Sequence, residues 1–296
     1  MPFSELARAK VNLTLTVLGR RLDGYHDITS LVAFADVGDR VTLHVGPDRQ
    51  LRVCGPFAGA IEGPNLLDRA LDLLWQLQPD LQFGTVELEK SLPVAAGLGG
   101  GSADAAALLR AVRRANPKHA ASIDWHSLAA RLGADVPVCL AGKPAVMTGI
   151  GDRVEPLAPS LALAPLACVL VNPRVPLPTR PVFAAFDARA DPALQRHARR
   201  SGGSDAQGAT FFDVASLLTY MRDRGNDLEP AATSLLPVIA EIKAALGAAP
   251  GCRIAAMSGS GPTCFGIFTD AQTAQGARRA IARSHPAWWV QTAHLG

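Results

Sequence analysis

The segment Leu92–Ala106, LPVAAGLGGGSADAA, constrains this chain more than any other stretch of it. Four glycines, Gly97, Gly99, Gly100 and Gly101, stand just before a run of strong helix formers. Without a Cβ the backbone can turn sharply, and a ligand can approach it closely. The spacing predicts a helix over Ser102–Ala115, with Ser102 offering a hydroxyl at the cap. Its unpaired first amides and the positive end of its dipole then face the loop, which suits a phosphate. A tight strand-to-helix turn needs one or two glycines; three in succession favour phosphate binding. The segment is not a Walker A loop, because no Gly-Lys-Ser/Thr follows. Nor is it a dinucleotide fingerprint, because Ser102 stands where the third glycine belongs.

Around this loop the pattern is mixed. Ala7–Leu18 alternates, with Ala9, Val11, Leu13, Leu15 and Val17 on one face and Lys10, Asn12, Thr14 and Thr16 on the other, a half-buried strand. Val41–Val45 and Leu51–Cys54 read as strands joined through Gly46-Pro47-Asp48. Asn65–Leu77 reads as a helix capped by Asn65, with an apolar stripe of Leu66, Ala70, Leu73, Leu74 and Leu77. A short strand over Thr85–Glu89 leads into the glycine loop, and Ser127–Leu132 is helical up to Gly133. Leu166–Asn172 is a nearly all-apolar strand, followed by the proline-rich link Pro173–Pro181. Asp187–Gly208 reads as an exposed excursion, whose Arg196, His197, Arg199 and Arg200 form a solvated face or an anion site. Glu229–Leu246 reads as one long amphipathic helix. The strands Cys252–Met257 and Thr263–Phe268 flank a second glycine turn, and a helix over Ala271–Ser284 and a strand over Trp288–Thr292 end the chain. This order predicts an α+β fold in two domains, 1–150 and 151–296.

Composition removes several classes of function. Net charge is +3, too close to neutral to argue for nucleic acid or a membrane surface. No apolar run is long enough for a membrane span, and the first residues lack the apolar block of a signal peptide. Five scattered cysteines without a CxxC pair predict reduced thiols and a cytoplasmic protein. Seven histidines with no HxxxH or HExxH give no zinc site, and no metal ligand is expected from the protein by motif.

Three blocks in order carry a family resemblance: Ala9-Lys10-Val11-Asn12-Leu13, the Pro93-to-Ser102 loop, and Met257-Ser-Gly-Ser-Gly-Pro-Thr263. Together they resemble the galactokinase, homoserine kinase, mevalonate kinase and phosphomevalonate kinase (GHMP) superfamily. Arg20-Arg-Leu-Asp-Gly-Tyr-His-Asp27, Gly133-Ala-Asp-Val-Pro137, Gly149-Ile-Gly-Asp152 and Asn226-Asp-Leu-Glu229 resemble blocks of its 4-diphosphocytidyl-2-C-methyl-D-erythritol kinases. The fold implied is a ribosomal-protein-S5-like N-terminal domain and a ferredoxin-like C-terminal domain. The reaction implied is transfer of phosphate from ATP, with Mg2+, to the 2-hydroxyl of a cytidine diphosphate-linked polyol in the non-mevalonate isoprenoid route. Small-molecule partners follow, in a monomer or homodimer.

The resemblance makes Asp135 the general base and Lys10 the residue that pairs with its carboxylate and orients the hydroxyl. Pro93, Ala95, Ala96, Gly97, Leu98, Gly99, Gly100, Gly101, Ser102 and Ala103 would surround the phosphates, with Asn65 and Lys90 near the adenine. Asn65 as a helix cap and Lys90 as a solvated lysine are the alternatives. Asn12, Gly259 and Gly261 would meet the substrate. Tyr25 and Phe183 would stack on the two faces of the cytosine, with His26 on its polar edge; core packing is the other reading of Phe183. The chain departs from the family in two places. Ala95 and Ala96 stand where many relatives carry glycine, and Asp104 stands where many carry asparagine. A kinase acting on another small alcohol, or a non-catalytic nucleotide-binding protein on the same fold, are the competing functions. The Asp23-Gly-Tyr-His26 block opposes the first, and retention of both Lys10 and Asp135 opposes the second.

Overall fold

A computed structural model of the chain describes residues 2–157, 165–189 and 213–296. The Arg196, His197, Arg199 and Arg200 cluster lies outside the described residues. The chain forms two compact units that interleave along the sequence. One comprises Met1–Lys10, Val37–Val94 and Gly99–Gly142; the other comprises Val11–Asp36, Ala95–Leu98 and Lys143–Gly296. They interleave because two long strands, β1 (Phe3–Asn12) and β3 (His26–Val45), contribute residues to both.

In the first unit, the Arg40–Val45 half of β3 pairs antiparallel with β5 (Gly84–Glu89), and β4 (Gln50–Cys54) pairs with β5 in parallel. The Gly46-Pro47-Asp48 turn therefore joins strands that β5 separates. Asp36-Val37-Gly38-Asp39 has the composition of a turn, yet it continues β3. Gly38 permits this, since a Cβ there would lie 2.1 Å from the Ala7 carbonyl oxygen. Helix α1 (Leu66–Leu77) is capped by Asn65, whose Oδ1 accepts from Leu67 N at 3.0 Å. Its buried face is Leu67, Ala70, Leu71 and Leu74, which shares Ala70 and Leu74 with the expected stripe, while Leu66 and Leu73 are only partly buried and Leu77 is half exposed. Both sets satisfy a helical period in so leucine-rich a segment. Helix α2 (Gly100–Ala115) is buried nearly all round, so its alanines let α1, α3 (Trp125–Leu132) and α4 (Val136–Ala141) pack closely on it.

In the second unit, β8 (Leu166–Asn172) is buried at every residue. It lies between β11 (Trp289–Leu295) and β10 (Cys264–Phe268), with β9 (Cys252–Met257) beyond β10, all antiparallel. The Ile28–Val32 stretch of β3 pairs with β6 (Ala145–Gly149), and β6 pairs with β7 (Arg153–Pro156); β2 (Thr16–Arg20) pairs with the start of β3. Helix α5 (Thr179–Arg189) begins inside the expected proline link. Pro181 falls in its first turn, where a missing N–H breaks no helical bond. Helix α6 is Val214–Arg224. The expected long helix is two, α7 (Glu229–Leu235) and α8 (Val238–Gly247), because Pro237 interrupts it. With α9 (Ala271–Ser284) they cover the sheet over a core that includes Val169, Val171, Leu228, Ile239, Ile242 and Phe268.

Candidate active site

Residues two apart on a strand share a face, so β1 aims Lys10 and Asn12 the same way. Within the first unit, Lys10 is buried, and its Nζ lies 3.0 Å from Asp135 Oδ2. Asp135 precedes α4, but its carboxylate makes no capping bond. The carboxylate is therefore free to take the ammonium on one side. It is 36% exposed, against 5% for the Lys10 side chain, and so remains open to a second partner.

The glycine loop enters α2 at Gly99, which is left-handed with φ 63°. A Cβ there would also crowd the Lys10 stem, at 3.1 Å from Cε. The first helical bond runs from Ala103 N to Gly99 O at 2.8 Å. The amides of Gly100, Gly101 and Ser102 thus precede the helical ladder and are donors for an anion. Ser102 is the third residue of the helix, not its cap. Space around Gly101 is open, with nothing within 4 Å of a Cβ placed there.

Lys90 is buried beside this helix start. Its Nζ lies 2.5 Å from Asp39 Oδ2 and 2.8 Å from Asp104 Oδ2. Asp39 Oδ1 accepts from Ser91 N at 2.6 Å and from Leu92 N at 2.8 Å. Asp104 Oδ1 is the one fully buried side-chain oxygen or nitrogen without a partner among the described residues. Burial pushes the Asp104 carboxyl up to about 7; the pull of Lys90 opposes this and the nearby Asp39 charge adds to it. For Lys90, burial alone would lower the ammonium pKa, but the two carboxylates outweigh it and raise it. Sequence patterns gave no sign of Asp39, which sits in what reads as a turn.

In the second unit the Gly97 segment meets the Met257–Thr263 turn. Gly97 has φ 72°, and a Cβ there would lie 2.5 Å from Ser258 O. Ser258 Oγ donates to Gly97 O at 2.8 Å and accepts from Asn12 N at 3.1 Å. Thr263 N donates to Ala96 O at 3.2 Å. Gly259 is also left-handed, with φ 56°, and its Cβ position faces Asn12 Oδ1 at 3.1 Å. Gly261 has φ 77° and precedes a cis proline. Asn226 Nδ2 donates to Met257 O and Gly259 O at 2.9 and 2.8 Å, a role for the Asn226 block that the sequence did not reveal. The Asn12 side chain is engaged as well, donating to Ser30 Oγ at 2.7 Å. Pro93, Ala96, Leu98 and Ala103 are buried. Ala96 therefore turns its methyl into the fold. Ala95 is exposed with φ 50°, a left-handed alanine that glycine would relieve.

The expected base sandwich is arranged differently. Phe183 stacks on His26 itself, with ring centroids 4.6 Å apart and planes at 23°. His26 Nε2 lies 2.8 Å from Asp187 Oδ1. Tyr25 is 60% exposed, its ring available to a ligand. One face of Phe183 is taken because α5 sets it against a buried imidazole.

The family models for the GHMP kinases N terminal domain and the GHMP kinases C terminal match residues 65–143 and 210–287. The chain is 44% identical to the 4-diphosphocytidyl-2-C-methyl-D-erythritol kinase of Bradyrhizobium sp. (strain BTAi1), over 99% of this chain and 97% of that one. It is 46% identical to the protein of the same name from Rhodopseudomonas palustris (strain BisB18), over 98% and 94%. A crystal structure of 4-(cytidine 5'-diphospho)-2C-methyl-D-erythritol kinase matches with a TM-score of 0.72 at 33% identity, covering 99% of both chains. A homoserine kinase from Cytophaga hutchinsonii reaches a TM-score of 0.72 at 20% identity, over 99% of this chain and 94% of that one, a likeness of fold alone.

The buried Lys90 cluster makes stability depend on pH. Folded Asp104 keeps its proton up to about 7, whereas an unfolded aspartate loses it near ~4. Between those values the folded state binds the extra proton, so stability falls as pH rises from about 4 to about 7 and does not recover above. Asp104→Asn, neutral throughout, should melt several degrees above the parent at about pH 8, with the gap closing toward about pH 5. Thermal unfolding across that range checks this; a gap that does not vary with pH rejects a raised Asp104.

Proposed function

This chain is a member of the GHMP kinases and, within them, of the 4-diphosphocytidyl-2-C-methyl-D-erythritol kinase family, and we propose that it catalyses the reaction in that name. ATP phosphorylates the 2-hydroxyl of 4-diphosphocytidyl-2-C-methyl-D-erythritol, giving the 2-phosphate and ADP on the non-mevalonate route to isoprenoid precursors. The observation that carries the reading is the Lys10–Asp135 pair, 3.0 Å apart, with the Lys10 stem packed against Gly99 at the start of α2. A bond forms between the substrate oxygen and the γ-phosphorus as the bond to the β–γ bridging oxygen breaks, and that electron pair leaves on ADP. The hydroxyl proton passes to the half-exposed Asp135 carboxylate. Lys10 holds that carboxylate in place. Phosphoryl transfer needs positioning and charge stabilisation more than covalent help, which suits so spare a set of groups.

The Pro93–Ala103 loop holds the nucleotide phosphates on the amides of Gly100, Gly101 and Ser102. Asn65 and Lys90 reach the nucleotide only with the donors that their internal bonds leave, the Asn65 amide nitrogen and the third ammonium proton of Lys90. Magnesium enters with ATP. Phosphate oxygens, water and the Ser102 hydroxyl would supply its ligands. Asn12, Gly259 and Gly261 line the polyol end, and Tyr25 stacks on the cytosine beside His26. No helix among the described residues is long and apolar enough to cross a membrane. Five free thiols suit the reducing cytoplasm, and a monomer or homodimer is the proposed assembly. The proposed division is into 1–150 and 151–296, and the family matches at 65–143 and 210–287 support it by falling one in each part.

Incubation with ATP and the cytidine substrate, with the product analysed by phosphorus NMR, tests the reaction itself. Phosphate appearing on another alcohol from an acceptor panel, and not on this one, overturns it. The open space at Gly101 allows a clean test of the loop. Gly101→Val should fold normally, yet weaken ATP binding at least tenfold, because its side chain fills the space a phosphate needs; unchanged affinity by calorimetry rejects the phosphate loop. Asp135→Asn keeps an oxygen for Lys10 but is a far poorer proton acceptor. Turnover at saturating substrates should fall roughly 100-fold or more with both affinities nearly intact. A single-turnover rate within about threefold of the parent removes the general-base role and leaves Asp135 an orienting group.

A further inference from the structure

Helix α5 grips His26 from two sides. Phe183 and Asp187 lie one helical turn apart, so they share a face. Phe183 covers the imidazole plane at 4.6 Å, and Asp187 Oδ1 meets its Nε2 edge at 2.8 Å. Asp187 is steadied in turn by Arg20, whose Nη1 lies 3.6 Å from Oδ2. His26 is the first residue of β3 and only 8% exposed, so its ring has one orientation to offer.

A carboxylate has lone pairs and no hydrogen to give, so the nitrogen facing it must carry the hydrogen. With Nε2 carrying the ring's single hydrogen, Nδ1 is a bare acceptor. Asp104 Oδ1 is the one fully buried side-chain polar atom without a partner among the described residues. Among the described residues His26 Nδ1 has no hydrogen-bond partner and is not one of the fully buried polar atoms, so it is open to an incoming donor.

We propose that Asp187 is a positioning residue that fixes the His26 tautomer and thereby selects a base with an exocyclic amino group over one with a keto oxygen at the same place. The proposal rests on the reading of His26 as a nucleobase contact. A cytosine 4-amino group donates to the Nδ1 lone pair. The 4-keto oxygen of uracil brings a second lone pair against it, and both acceptors lose their water without gaining a bond. Without Asp187 the imidazole is free to move its hydrogen to Nδ1 and accept uracil.

The test has two arms, both on the full chain. Nitrogen-15 NMR of labelled histidine, with the His26 signal assigned through His26→Asn, should show the hydrogen on Nε2 in the parent. In the second arm, kcat/KM is compared for the cytidine and uridine forms of the diphosphate-linked substrate. The parent should prefer cytidine by roughly 100-fold or more. Asp187→Ala should shrink that preference to within about tenfold, mostly through a higher KM for the cytidine form, with the KM for ATP unchanged. Asp187→Asn should retain most of the preference, because its amide oxygen can still accept from Nε2. A hydrogen on Nδ1 in the parent overturns the proposal, as does a folded Asp187→Ala that keeps the parent's preference. A parent that phosphorylates neither substrate defeats the functional reading and the base selection with it, while the imidazole spectrum still reports the tautomer.

Discussion

One buried ammonium ties down both ends of the glycine loop. The loop leaves β5 at Lys90 and ends where α2 begins. The Lys90 Nζ binds Asp39 on the strand side and Asp104 in the first turn of α2. Asp39 also takes the amides of Ser91 and Leu92, the first residues of the loop. The Lys90 backbone is held too, its N–H donating to Cys54 O at 2.8 Å. Burying an ammonium with two carboxyl groups costs several kcal/mol per ion, and close contact with hydrogen bonds on most of the polar atoms is what offsets it. The return is positional. A loop of small residues has little side-chain packing to hold it, so its anchors must lie at its two ends.

Glycine serves two purposes in this loop and its neighbour. Gly99 takes a left-handed conformation and lets the Lys10 stem pass close by. Gly97 does the same for the backbone of Ser258 and Gly261. Ser258 then links three chain segments with one hydroxyl, accepting from Asn12 and donating to Gly97. Alternation along β1 places Lys10 and Asn12 on one face, and each belongs to a different compact unit. The polar face that the sequence pattern reveals therefore carries both the lysine that pairs with Asp135 and the asparagine whose backbone amide donates to Ser258.

Local patterns were readable where one physical rule acted alone. The Asn65 cap, the Gly133 stop, the all-apolar β8 and the strands around the second glycine turn stand where composition puts them. Patterns failed where distant partners decided the outcome. Leucines surround α1, so periodicity permits several faces, and packing against α2 selects one. Pro237 breaks an amphipathic stretch whose period is otherwise continuous. Asp39 resembles a turn residue until its carboxylate is seen holding the amides of Ser91 and Leu92, 52 and 53 residues away. The stacking of Phe183 on His26 has the same character. In the sequence His26 and Phe183 read as separate contacts of a base, and only α5 shows the Phe183 ring on the imidazole and the Asp187 carboxylate at its edge.

Asp104 shows how burial can reconcile a residue with its surroundings. A carboxylate in the first turn of a helix is favourable for the dipole, but it would repel an anion brought to the helix start. Fully ionised, the cluster of Lys90, Asp39 and Asp104 carries one more negative charge than positive. With Asp104 protonated, the charges of Lys90 and Asp39 cancel. Burial supplies that proton, lifting the carboxyl to about 7. An exposed aspartate would stay charged at neutral pH and gain nothing from the neighbouring helix start that a phosphate would not also claim. The buried one is divided between its two forms near neutrality, and an approaching phosphate, being negative, favours the protonated form.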